Sequence, residues 1–221
     1  MKKSLVIFGA GDIAQLAHYY FSTDSDYEVI AFTVDASHIQ ESSFCGLPVV
    51  AFEEVIQEYP PENNDFFVAL SYSKLNAIRK EKFLAAKTKG YKLVSFVSSS
   101  ATVLNEGKVG ENCFIFEDNT IQPFVTIGNN VTLWSGNHIG HHSVIKDHTF
   151  IASHVVVSGG VEIGEQCFLG VNATLRDHIK IGDRCVVGAG ALLLDDAAPE
   201  GVYIGSATER SRVPSTRLRG I

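Results

Sequence analysis

The sequence predicts a two-part fold: a small α/β unit built on a parallel sheet, followed by a parallel β-helix. Two observations carry this. From Val97 to Leu193 every sixth residue is Val, Ile or Leu, without a slip. Before that point strand-like and helix-like runs alternate, the order that builds parallel strands joined by crossover helices.

Residues 1–95 form the α/β part. SLVIFGAGDIAQLAHYYF reads as strand, glycine-rich turn and helix, and YEVIAFTVD as a second strand ending in Asp35. GLPVV leads into a helical AFEEVIQEYP, and NDFFVAL is a further strand. KLNAIRKEKFLAAKTKG is a long helix stopped by Gly90, and YKLVSFV a last strand leading into the repeat. This alternation is of Rossmann type. Gly9-Ala10-Gly11-Asp12-Ile13-Ala14 fits the pattern GxGxxA. Such a turn presents backbone N–H groups at a helix N-terminus, where a phosphate can sit, and Asp35 stands where a carboxylate can take a ribose hydroxyl. Three readings stay open: NAD, a purely structural tight turn, and a nucleotide that is part of the substrate. The unit is roughly half a full dinucleotide fold, and no dehydrogenase substrate domain follows.

Residues 96–221 form the second part. A period of six with one large apolar residue suits neither a 3.6-residue helix nor an alternating strand. It suits a β-helix of triangular section, with one hexapeptide per flat side, the aliphatic inward, and a small residue such as Cys113, Ser143, Thr149, Cys167 or Ala173 where the chain turns. Eighteen residues complete a coil, so Cys113, Cys167 and Cys185 stack at one corner as core fillers; a metal or redox role is the alternative. The repeat runs unbroken through LWSGNHIGHHS. His138, His141 and His142 therefore lie near the outer surface around one corner, and His148, His154 and His178 share the fourth, solvent-side turn position.

Composition narrows the function. With 221 residues and 45% hydrophobic residues the chain can bury a core. A net charge of −7 argues against nucleic acid or anionic membrane as partner. The N-terminal apolar run ends in a glycine turn, which predicts a strand rather than a signal peptide, and no apolar stretch reaches the length of a membrane span. Four cysteines without CxxC spacing suit a reducing, cytoplasmic compartment.

GAGDIA, the histidine within IGHHSVI, the SGGVEIG segment and the ending VYIGSATER together resemble the bacterial nucleotide-sugar N-acetyltransferases of the sialic-acid O-acetyltransferase-like (NeuD-like) family. These include enzymes that acetylate UDP-linked 4-amino-4,6-dideoxy sugars and GDP-perosamine. The resemblance spans essentially the whole chain and implies that the β-helix is left-handed, which no general rule predicts. It implies a homotrimer with acetyl-CoA in the groove between neighbouring β-helices and a nucleotide-linked amino-sugar on the N-terminal unit. It implies His141 as general base, Gly159, Val171, Ala189 and His154 toward acetyl-CoA, and Gly11, Asp12, Ile13 and Asp35 toward the nucleotide-sugar. No metal is implied. The family often has an acidic residue before the base where this chain has Gly140, so Asn137, His138 or a neighbouring subunit is left to orient the ring. A second family histidine corresponds to Phe150, and a glycine-histidine pair to Gly11-Asp12.

The chemistry fits these residue types. Acetyl transfer to an amine needs the uncharged amine, and a histidine titrates near neutrality. The oxyanion needs a donor, which a backbone N–H of Ser158-Gly159-Gly160 can supply. A zinc site from His138, His141 and His142 is the competing reading, weakened because neighbours on a strand point to opposite faces. His18 and His38 are expected to be ordinary residues. Arg210, Arg212, Arg217 and Arg219 make the tail basic, either to meet the phosphates of CoA or as a solvated segment. O-acetylation of a sugar or sialic acid, and a noncatalytic β-helix that binds nucleotides, are the alternative functions.

Overall fold

The computed structural model describes residues 2–217; Arg219 lies outside them. In the N-terminal part, β1 (Lys3–Phe8), α1 (Asp12–Thr23), β2 (Tyr27–Val34), β3 (Ser43–Phe44), β4 (Leu47–Ala51), α2 (Val55–Glu58), β5 (Asp65–Val68) and α3 (Ala77–Thr88) follow in order. The sheet order is β3-β4-β2-β1-β5. It is parallel except for β3, which returns antiparallel on β4 as a small hairpin that the sequence reading did not foresee. Apolar residues on both faces of β1 and β2 match a sheet covered on two sides. YKLVSFV is not one strand: Leu93 makes an isolated bridge to Phe66, and Phe96–Val97 already belongs to the β-helix. The last helix starts at Ala77 rather than at Lys74, because Lys74, Leu75 and Asn76 all have positive φ and form a tight loop instead.

From Phe96 onward two-residue strands stack in three parallel sheets; up to Leu193 each strand pairs with the one 18 residues away, and the last, Val202–Tyr203, pairs with Val186–Val187 at a separation of 16. The first side carries Thr132–Leu133, Phe150–Ile151 and Phe168–Leu169; the second His138–Ile139, Val156–Val157 and Thr174–Leu175; the third Val144–Ile145, Glu162–Ile163 and Lys180–Ile181. This is the left-handed parallel β-helix. The sixth-residue aliphatics form its core: Ile115, Ile121, Leu133, Ile139, Ile151 and Leu169 are fully buried. Each is worth about 1.5–3 kcal/mol in removed apolar surface. Val97, in the first coil, has no coil beneath it and is partly exposed. Cys113, Cys167 and Cys185 are buried as expected. Burial pushes the Cys113 thiol up to about 11 and Cys167 to about 12, which keeps both protonated and inert.

The fourth residue of the hexapeptides takes the left-handed conformation, as at Asn112, Asn130, His142, His148, His154 and His178, with φ between 54° and 64°. That requirement explains the Asn, Asp, His and Gly in this column.

The first side packs against α1 and the N-terminal sheet. Phe114, Phe116 and Phe96 share a core with Phe21, Phe32 and Phe67. Arg79 of α3 is almost fully buried at this junction. It donates to Thr132 Oγ1, Asn76 Oδ1 (3.0 Å) and the carbonyls of His148 (3.2 Å) and Thr149 (3.3 Å). Burial lowers its pKa to about 10, so it stays charged at neutral pH. His148 is the residue that departs from its expected solvent-side position. α3 covers its corner, it is 5% exposed, its Nδ1 lies 3.0 Å from Asn130 Nδ2, and its ring meets Phe83 edge-on. Burial, aided by the nearby Lys80 charge, lowers its pKa to about 4.

Candidate active site

His141 and His142 occupy the corner between the second and third sides, as expected, and both are exposed. The His141 backbone N–H donates to Gln122 Oε1 at 2.9 Å. Its ring leans over the next coil, where a Cβ added to Gly159 would stand 2.6 Å from Cε1 and 2.8 Å from Nε2. A side chain at Gly159 would displace that ring, and the Gly159 N–H has no acceptor among the described residues. A base and a free backbone donor thus lie side by side on one rigid corner.

The histidine triplet does not behave as a set of strand neighbours. His138 points from the second side, flanked by Thr120 and Val156. His141 and His142 instead turn toward each other, with their Nδ1 atoms 3.1 Å apart. The αL backbone of His142 makes this possible, and the His142 ring rests on Phe124 at 4.7 Å. Among the described residues no three His, Cys, Asp or Glu side chains are arranged to hold a metal ion.

Val171 and Ala189 lie on the corner between the first and second sides and line, with Ile13 of α1, a cleft of about 340 Å³. Its walls are aromatic. The Tyr72 ring sits 5.0 Å from Phe150 and 4.7 Å from Phe168, and Trp134, 6.3 Å from Phe150, also lines the cleft. No charged side chain lines it. The sequence reading missed this cleft, although Phe150 and Phe168 are one coil apart and both precede an inward aliphatic. His154 is exposed on the same corner, with its ring over Gly136. One side of the triangle, roughly 15 Å of extended chain, separates this corner from that of His141.

At the other end, Gly9 has φ +128°, and a Cβ there would strike the Ala69 carbonyl at 2.6 Å. That glycine serves the fold. Gly11, by contrast, caps α1 and has nothing within 4 Å of a would-be Cβ. Gly11 and Asp12 are exposed and Ile13 is half-buried. Ala10 borders a second cleft of about 420 Å³, with Val34, His38 and Phe44. Asp35 sits nearby, but its Oδ1 is held by Lys82 of α3 at 2.7 Å. Arg210, Arg212 and Arg217 are exposed.

The bacterial transferase hexapeptide family model (six repeats) matches residues 107–141, 125–159, 142–177 and 160–195. Solved structures match nearly the whole chain. The acetyltransferase domain of PglB from Neisseria gonorrhoeae FA1090, in complex with acetyl coenzyme A, is 23% identical with a TM-score of 0.82, over 93% of this chain and 97% of that one. A histidine-to-asparagine mutant of perosamine N-acetyltransferase from Caulobacter crescentus, in complex with CoA and GDP-perosamine, is 24% identical with a TM-score of 0.81, over 91% and 93%. WeeI from Acinetobacter baumannii AYE is 19% identical with a TM-score of 0.76, over 92% and 97%. The chain shares the fold of these proteins from its N-terminal sheet through its β-helix.

Proposed function

We propose that this chain is an acetyl-CoA-dependent N-acetyltransferase acting on a nucleotide-linked amino-sugar, with residues 1–95 binding the nucleotide-sugar and residues 96–221 forming the acyltransferase part. The observation that carries the reading is the His141 ring poised over Gly159, on a fold shared along its length with acetyltransferases whose structures hold acetyl-CoA, or CoA with GDP-perosamine. His141 Nε2 takes a proton from the sugar amine as the nitrogen attacks the thioester carbonyl. The Gly159 N–H donates to the resulting oxyanion. Collapse breaks the C–S bond, and the proton on His141 passes to the departing CoA thiolate. No covalent enzyme intermediate is needed.

The exposed turn at Gly11, Asp12 and Ile13 receives the diphosphate at the N-terminus of α1. Asp35 serves the ribose only on leaving Lys82. Val171, Ala189, Gly159 and His154 border acetyl-CoA. The aromatic cleft beside Ile13 suits the apolar face of a 4-amino-4,6-dideoxyhexose, which has no carboxylate; a sialic acid would bring a carboxylate into a wall without a countercharge. Because Ile13 and His141 stand on different corners, the site is completed between copies. Exposed Val156, Leu192 and Leu194 give the second side an apolar surface suited to packing in a homotrimer. Exposed, unpaired Cys45 suits a cytoplasmic setting.

The test mixes the protein with acetyl-CoA and a panel of UDP-, GDP- and dTDP-linked amino-sugars while thiol release is followed. Release that depends on one amino-sugar nucleotide is the expected result. Silence across the panel, or equal release with sialic acid, refutes the reading.

A further inference from the structure

We propose that His142 is the positioning residue of His141, fixing its tautomer and orientation through the Nδ1-to-Nδ1 hydrogen bond; this rests on His141 being the base. Two imidazole nitrogens 3.1 Å apart share one hydrogen, so one ring donates and the other accepts. His141 Nε2 is the nitrogen that stands over the open Gly159. It can accept a proton only if His141 carries its hydrogen on Nδ1, and that hydrogen then points at His142 Nδ1. When Nε2 takes the amine proton, the imidazolium strengthens its bond to His142, which stabilises the charge formed during transfer. The proton leaves by the same Nε2 to the thiolate, so His142 ends the cycle unchanged.

Three features hold His142 to this task. The left-handed backbone, φ 60°, turns its side chain back toward residue 141. Phe124 supports the ring from the coil below. Its own N–H is anchored on the Pro123 carbonyl at 3.3 Å. Among the described residues it is the side chain hydrogen-bonded to the His141 ring. The other titratable groups around this corner are His138 on the second side and Asp177 and His178 on the coil beyond Gly159, with His178 drawn over Gly160.

The test compares His142→Gly, His142→Asn and His142→Asp, all compatible with a left-handed φ. Asn and Asp place an acceptor oxygen where His142 has Nδ1. His142→Gly should lower kcat about tenfold to a hundredfold, the usual cost of losing a histidine's partner, with both KM values little changed. Its acid limb should move to lower pH, because the acceptor that favours charged His141 is gone. His142→Asn should recover part of kcat. His142→Asp should recover most of it and move the acid limb above that of the unmodified enzyme. A His142→Gly enzyme with normal kcat and an unmoved limb, or a His142→Asp enzyme no better than His142→Gly, overturns the pairing. His141→Asn is measured in parallel: full turnover there sinks the base assignment itself, whereas a dead His141→Asn beside a normal His142→Gly sinks only the pairing.

Discussion

Gly159→Ala is the sharpest test of the geometry around His141. The added methyl would stand 2.6 Å from Cε1 and 2.8 Å from Nε2, so reaching an ordinary 3.4 Å contact moves the imidazole by about 0.8 Å. Gly159 does not have a positive φ, so alanine strains no backbone there, and the ring that must yield is the exposed end of a side chain. Stability should therefore change by less than about 0.5 kcal/mol, as for surface substitutions in general. Catalysis should respond differently, since a displacement on the order of 1 Å at a reacting group costs about 10²-fold, or about 2.7 kcal/mol of transition-state stabilisation. Thiol release at saturating acetyl-CoA and amino-sugar nucleotide reads kcat, and thermal unfolding reads stability. A Gly159→Ala enzyme that folds normally and turns over at the unmodified rate would show that the space above Gly159 is not where the reaction occurs.

Four further outcomes are expected. His141→Asn should lose about 10²–10⁴-fold in kcat at pH 7, with a smaller deficit at high pH, where the acceptor amine loses its proton unaided; equal deficits at pH 7 and pH 9.5 would contradict a base role. Arg79→Ala should cost about 1–3 kcal/mol for each acceptor among Asn76 and the His148 and Thr149 carbonyls that it leaves buried without a donor, readable as a lower urea midpoint. His148 binds its proton in the unfolded chain near pH 6.5 but in the folded chain only near 4, so its contribution, about 3 kcal/mol, is fully present above pH 6.5 and is lost as pH falls to 4; His148→Asn should flatten that stretch of the urea-midpoint profile. Light scattering should return three times the 24.0 kDa chain mass, and a single-chain mass at working concentration would refute the intersubunit site.

The β-helix was legible because its periodicity is covalent: one residue in six must fill the core, and nothing competes with that need between Val97 and Leu193. Strands β1, β2 and β5 were equally plain, but YKLVSFV, which splits between the α/β unit and the first coil, and the β3–β4 hairpin, whose β3 is too short to carry a period, were not. His148 was misjudged because the repeat fixes only which way a corner faces; α3, which buries it, comes from a distant part of the chain. The His141–His142 contact was missed for a local reason. Strand alternation does not hold at a corner whose left-handed residue brings neighbouring side chains together. The column of Asn, Asp, His and Gly at the fourth position held that signal in the sequence itself. The tie between Asp35 and Lys82 had no counterpart in the sequence pattern, because it joins the end of β2 to a helix 47 residues on.

The stacking of Ile139, Val157 and Leu175 in strict register makes the β-helix a ratchet. Inserting one whole coil would lift everything beyond it by about 4.8 Å, the spacing between neighbouring strands, without turning it about the axis. Inserting a single hexapeptide would instead swing every later corner onto the next side, carrying Val171 and Ala189 away from Ile13. Distances along the axis, from His141 to whatever holds the far end of the acyl donor, are therefore available only in steps of one coil.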